Sequence, residues 1–231
     1  KGILIKPKSI EVFKERNHGG VVAGYSPDDM SNPDVISARF LRALSLYDVF
    51  FTTKSFNVSE LTGRGCRNVM FIGNAYCPRA HRPMVLTDEE RVNYSCKIGF
   101  IGRWERARGE SLHSLAAAGL RVRVWGSHWE RMRSGSEGLV LENRELWGEA
   151  YGKAINAIGI NLCFLRKVNR DLQTTRSMEI PACGGFLLAE RTVEHQELFR
   201  EGVEADYFDD DDELIDKCRY YIRNPNIRRK M

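Results

Sequence analysis

The sequence predicts an α/β protein with parallel sheets, organised as two domains. Short apolar runs alternate with helical patterns along almost the whole chain, the arrangement of strands joined by crossover helices. One stretch without a sustained period interrupts that alternation and splits it into two series. With 231 residues, 42% of them hydrophobic, the chain can bury the cores that two such domains need.

In the first series "GILIKP" reads as a strand, "SIEVFKER" as a helix and "GVVAGY" as the next strand. In "SNPDVISARFLRALSLYD", Asn32 can cap a helix with Pro33 at its first position, and Ile36, Phe40, Ala43, Leu44 and Tyr47 form an apolar stripe at helical spacing. "VFFTTK" is a further strand, "NVSELTGRG" a short helix with Asn57 and Glu60 spaced like a capping box, and "NVMFIG" a fourth strand. Four strands are few for a sheet covered on both faces, and the chain opens on a strand without Met. The expectation is therefore a truncated N-terminal domain.

Between Tyr76 and Cys96 the chain has prolines, mixed charge and no period. The domains expected are 1–78 (N-terminal, partial), a linker at 79–95, and 96–231. In the second series "KIGFIG", "RVRVW", "GLVLEN", "INLCFL", "GFLLAE" and "ADYF" read as strands, with helices around 106–118, 145–156, 174–183, 193–200 and 211–223. Two Rossmann-like domains in tandem, with strand ends facing across a cleft, is the architecture that follows.

Composition narrows the function. Lys plus Arg number 35 against 31 for Asp plus Glu, so a general nucleic-acid binder is not expected. The six cysteines form no C-x-x-C pair and no short Cys/His spacing, which points away from zinc and from a disulfide framework and toward a reducing, cytoplasmic setting. No apolar run approaches the roughly eighteen residues that a membrane span takes.

Charge is uneven, and its clusters are the candidate sites. Residues 97–133 carry eight basic residues against three acids. There "GFIGRWERARGESL" sets Gly99, Gly102 and Arg103 at a strand's carboxyl end ahead of a helix, which suits a phosphate or, equally, a plain tight turn. In "RKVNRDLQTTRSMEIPACG", Asn169 and Asp171 fall in a loop, Thr174, Thr175 and Arg176 at a helix start, and Glu179 one turn inside it. Carboxylates bind sugar hydroxyls and a guanidinium forks onto phosphate, yet a Thr-capped helix with surface charge fits the same spacing. Asp28 and Asp29 in "HGGVVAGYSPDD" are either a catalytic base or an Asp-rich turn. His18 and His81 lie in loops, Trp104, Trp125 and Trp129 near strand ends. "DDDDE" at 209–213 is better suited to a helix N-terminus than to a metal.

The run "NRDLQTTRSMEIPACGGFLLAERTVEHQELFREGVEADYFDDDDELIDKCRYYI" resembles the C-terminal segment of CgeB-like (spore maturation protein type) glycosyltransferases of the two-domain GT-B group. "DVFFTTKSFNVSEL", "IGRWERAR" and "RVRVWGSHW" are similar to the same family. The resemblance implies transfer of a sugar from a nucleoside-diphosphate sugar to an unidentified acceptor, with no metal or other cofactor. Related enzymes have two glutamates separated by seven residues; Asp171 and Glu179 have that spacing, with Asp, shorter by one methylene, in place of the first Glu. By that likeness Glu179 would hold the ribose, Asp171 the donor sugar, and Arg103 and Arg176 the diphosphate. A nucleotide-sugar epimerase of the same architecture and a non-catalytic nucleotide-sugar-binding protein are the alternatives.

Overall fold

The computed structural model describes residues 4–132 and 137–231, and Arg133 of the basic segment lies outside them. By their contacts the residues form two units. The first comprises Lys1–Asn74 with Arg166–Asp171, the second Ala75–Leu165 with Leu172–Met231.

In the first unit the elements are α1 (Pro7–Arg16), β1 (Ala23–Ser26), α2 (Ala38–Ala43), β2 (Val49–Thr52), α3 (Ser55–Gly63) and β3 (Val69–Phe71). The strands pair in parallel in the order β1-β2-β3. Phe40, Tyr47 and Phe50 centre its core; Phe50 meets each of the other two edge-on, with centroids 5.5 and 5.6 Å apart.

Three local expectations in this unit are corrected. Residues 4–6 of "GILIKP" are turn and coil, not strand. Asn32 caps no helix: its Oδ1 accepts from the Asp34 N–H at 2.9 Å, a local turn, and α2 begins later, with Ser37 Oγ accepting from the Phe40 N–H at 3.1 Å. Asn57 is not an N-cap either, because α3 starts two residues earlier. Fully buried, Asn57 accepts from the Met30 N–H and donates to Asp29 and Glu60.

The second unit runs α4 (Asp88–Tyr94), β4 (Cys96–Ile101), α5 (Arg106–Ala117), β5 (Val122–Trp125), β6 (Leu139–Leu141), α6 (Gly148–Ala157), β7 (Ile158–Cys163), α7 (Thr175–Ala182), β8 (Leu187–Glu190), α8 (Val193–Leu198), β9 (Asp206–Phe208), α9 (Asp211–Arg223) and α10 (Pro225–Lys230). All six strands are parallel, in the order β6-β5-β4-β7-β8-β9. The sheet is doubly wound: from β4 the chain moves out to β5 and β6, then crosses back to β7 and continues the other way. Apolar side chains on one sheet face pack with α5 and α9, including Phe100, Leu112, Leu162 and Leu214, and those on the other with α6 and α7, including Ile155, Ile180 and Tyr207.

The stretch read as linker contains α4, started by a full capping box between Thr87 and Glu90 and tied to α6 by Lys153, whose Nζ lies 2.7 Å from Glu90. The acids at 209–213 do local structural work: Asp210 caps α9 by accepting from the Glu213 N–H, and Asp209 and Glu213 both pair with Arg191. Among the described residues no helix is long and apolar enough to cross a membrane.

Candidate functional site

At the carboxyl ends of the six-stranded sheet, four segments that follow its strands, together with His81 from the stretch before α4, line a cleft of about 530 Å³. Gly102 leaves β4, Gly126 leaves β5, residues 145–148 lead from β6 into α6, and α7 follows β7. Its floor is the switch point between β4 and β7, where crossovers depart in opposite directions and leave a crevice.

Two glycines make that floor. The Gly102 N–H donates to the Trp125 carbonyl and its own carbonyl accepts from Trp129 Nε1, both at 2.8 Å. Gly126 has φ +138°, and a Cβ there would lie 2.0 Å from the Gly102 carbonyl oxygen. Trp125 and Trp129 are fully buried, so they build the floor instead of stacking on a ligand. Gly99 is not part of an anion loop: it lies within β4, where a Cβ would meet Ile158 at 2.7 Å.

The wall is α7. Thr174 precedes it, donating its backbone N–H to Ser177 Oγ at 3.1 Å, and Ser177 Oγ meets His195 Nε2 at 2.7 Å. His195 Nδ1 lies 2.7 Å from the Glu190 carbonyl. A carbonyl only accepts, so Nδ1 carries the ring proton, Nε2 is the acceptor and Ser177 donates to it. Burial dominates and lowers the pKa of this fully enclosed imidazole below its ordinary 6.5, against the opposing pull of the Glu190 carbonyl and the charges of Glu190 and Glu194.

Arg176 Nε donates to the Ile101 carbonyl at 2.6 Å, which pins the guanidinium at the end of β4 beside Gly102. Arg103 stands exposed at the mouth and Thr175 at the helix start. One turn on, Glu179 Oε2 accepts from the Tyr151 hydroxyl at 2.6 Å, and its Oε1 lies 3.9 Å from His81 Nε2. Burial pushes the Tyr151 phenol well above its ordinary pKa, so it remains a donor. The cleft thus presents cations and a helix N-terminus at one end and a held carboxylate at the other, a set suited to a ligand bearing both phosphate and hydroxyl groups.

The structure therefore brings together Gly102, Arg103, Thr175, Arg176 and Glu179, with Thr174 behind them as the residue that starts α7. Asp28, Asp29 and Asp171 are not among the residues lining this cleft; all three belong to the first unit. Asp171 Oδ1 lies 2.7 Å from Lys54 Nζ, in an ion pair whose side chains are 10% and 4% exposed, and accepts from Asn169 at 2.6 Å. Asp29, 1% exposed, takes a two-pronged contact from Arg170 at 2.7 and 3.0 Å. Burial alone would raise the Asp29 pKa, but hydrogen bonds from Arg170, Asn57 and the Ser31 N–H bring it below the usual value. A carboxylate engaged in this way is a weak base. Asp28 is half-buried, 4.0 Å from Arg166.

Sequence reasoning missed Tyr151, Ser177, His195 and Gly126. Gly126 carried a signal, a glycine directly after an apolar strand as at Gly102. Tyr151 carried none, since it lies 28 residues from its partner Glu179.

Residues 106–231, more than half of the chain, match the family model described as glycosyl transferase-like. No curated protein matches the sequence. Among solved structures, Anabaena HepE in complex with UDP-glucose is similar with a TM-score of 0.68 at 14% identity, over 97% of this chain and 69% of that one. Sucrose-phosphate synthase from Thermosynechococcus elongatus gives 0.65 at 12%, over 100% and 72%. A Listeria monocytogenes protein proposed as a UDP-N-acetylglucosamine 2-epimerase gives 0.58 at 12%, over 97% and 71%. At these identities the structural likeness carries the fold alone, and the family match carries the rest: this chain belongs to the glycosyl transferase-like family and has the parallel-sheet, Rossmann-like α/β fold of the GT-B group.

Proposed function

We propose that this protein transfers a sugar from a nucleoside-diphosphate sugar to an acceptor, and that within its family it is of the CgeB-like type. The observation that carries this reading is the placement of Arg176 and Glu179 on one helix, at the switch point of a parallel sheet, lining one cleft. Arg103 and Arg176 bind the diphosphate, and Glu179 accepts from the ribose hydroxyls. As the glycosidic bond breaks, negative charge builds on the leaving diphosphate, and preorganised guanidinium groups with the α7 N-terminus stabilise it without a metal. Asp171, held by Lys54, is the sugar-side acid of the reading, and Asp28 a better acceptor-side base than Asp29, which Arg170 engages on both oxygens. UDP and UDP-glucose in the HepE structures favour a uridine donor.

The test is calorimetric titration of UDP, ADP, GDP and their sugars into wild type and Glu179→Ala, followed by transfer of labelled sugar to candidate acceptors. Binding of at least one diphosphate by wild type, weakened about tenfold or more in the variant, is expected. Unchanged binding in Glu179→Ala would remove this site from the reading. The likeness to the Listeria protein gives epimerisation as a second reading, which isomerised sugar without transfer would support.

A further inference from the structure

We infer that Glu179 reads a single ligand hydroxyl jointly with His81, and that Tyr151 sets this up by holding the other carboxylate oxygen. The inference rests on the proposed nucleotide-sugar reading and deepens it. It begins at Cys77, whose backbone N–H lies 3.1 Å from His81 Nδ1. An N–H can only donate, so Nδ1 accepts and the ring's own proton sits on Nε2. That Nε2 faces Glu179 Oε1 at 3.9 Å, too far for a hydrogen bond between them. The gap is the separation at which one oxygen can stand about 2.8 Å from each, accepting from Nε2–H while donating to Oε1.

Tyr151 makes the arrangement specific. Its hydroxyl donates to Glu179 Oε2 at 2.6 Å, and its ring meets the His81 ring edge-on with centroids 5.6 Å apart. One side chain therefore fixes the rotation of the carboxylate and the plane of the imidazole. All three line the same cleft. His81 is a specificity residue that touches the ligand, and Tyr151 a positioning residue acting through Glu179. A hydroxyl placed here must both donate and accept. A hydrogen in its place leaves both Glu179 Oε1 and His81 Nε2–H unpaired, and an ether leaves Oε1 without a donor, the situation in which sites discriminate most strongly.

The experiment measures the affinity of the diphosphate that binds wild type best (UDP, ADP or GDP) and of its 2′-deoxy and 3′-deoxy forms, for wild type, His81→Ala, Tyr151→Phe and Glu179→Gln. Wild type is expected to lose about tenfold or more with one deoxy form. In His81→Ala and Tyr151→Phe that ratio should fall to about threefold or less, because the parent ligand weakens while the deoxy ligand barely changes. A structural role alone would weaken both ligands equally. Ratios in both variants equal to wild type, with Glu179→Gln still abolishing discrimination, overturn the inference and leave the broader reading standing. Absence of discrimination in wild type, or no effect of Glu179→Gln, overturns both.

Discussion

Single side chains in the first unit show how much structure can rest on one residue that sequence alone leaves unremarked. Arg170 has φ +47°, a left-handed conformation that a non-glycine residue adopts only when its surroundings enforce it. They do so from three sides: Asp29 receives Nε and Nη2, Glu60 receives Nη1 and Nη2 at 2.9 Å, and Phe56 lies 4.1 Å beneath the guanidinium. The Glu60 carboxyl falls to about 2, chiefly through its hydrogen bonds from Arg170. Replacing Arg170 by Ala removes both ion pairs and leaves Asp29 charged in a buried site, so the expected loss is about 2–4 kcal/mol, the lower part of that range reflecting water entering where Arg170 was half-exposed. Chemical denaturation of Arg170→Ala, Asp29→Asn and the double variant checks this. Strong coupling should make the double variant less unstable than the sum of the two, and additive losses would mean that the contact does not act as a pair.

At the scale of elements, periodicity in the sequence finds the sheet and most helices, because each strand is a short apolar run and each helix has a stripe; α9 occupies 211–223 as its pattern predicts. Cap positions are less legible. Asn32 and Asn57 both have a cap's composition, but one closes a local turn and the other is drawn inward by Asp29 and the Met30 N–H, partners far from it in sequence. In the candidate site, Gly102, Arg103, Arg176 and Glu179 were legible because they flank a strand end or a helix start. The chain of bonds that fixes α7 was not, since His195 reads as one more polar residue of an acidic helix. That chain has a pH signature. The folded pKa of His195 lies below 6.5, so the unfolded chain binds more protons between the two values. Its stabilising contribution is complete above pH 6.5 and declines as pH falls toward the folded pKa, by up to about 1.4 kcal/mol per pH unit. Urea midpoints for wild type should therefore fall between pH 6.5 and 5 more steeply than those of His195→Gln. Parallel curves would show that another group controls the slope.

For the molecule as a whole, the order β6-β5-β4-β7-β8-β9 makes a definite statement about where ligand binding should be felt. A doubly wound sheet gathers the turns after β4, β5, β6 and β7 at one edge, although they are scattered along the sequence from Gly102 to Glu179. The apolar packing that supports them lies beneath, in side chains such as Phe100, Trp125 and Leu162 that are almost fully buried and have no means of contacting a ligand. Core amides are already protected by that packing, whereas turn amides open locally and respond most to an added ligand. Hydrogen exchange with a saturating nucleoside diphosphate should accordingly slow together in peptides covering residues 101–103, 126–127, 145–151 and 175–179, with β8 and β9 little altered. The pattern separates this site from other concavities of the same unit, such as the one formed by Lys97, Arg121 and Arg123 at the opposite, amino-terminal edge of the sheet. Slowing confined to residues 95–97 and 119–123 would move the nucleotide to that edge and, with it, remove Arg176 and Glu179 from the donor site.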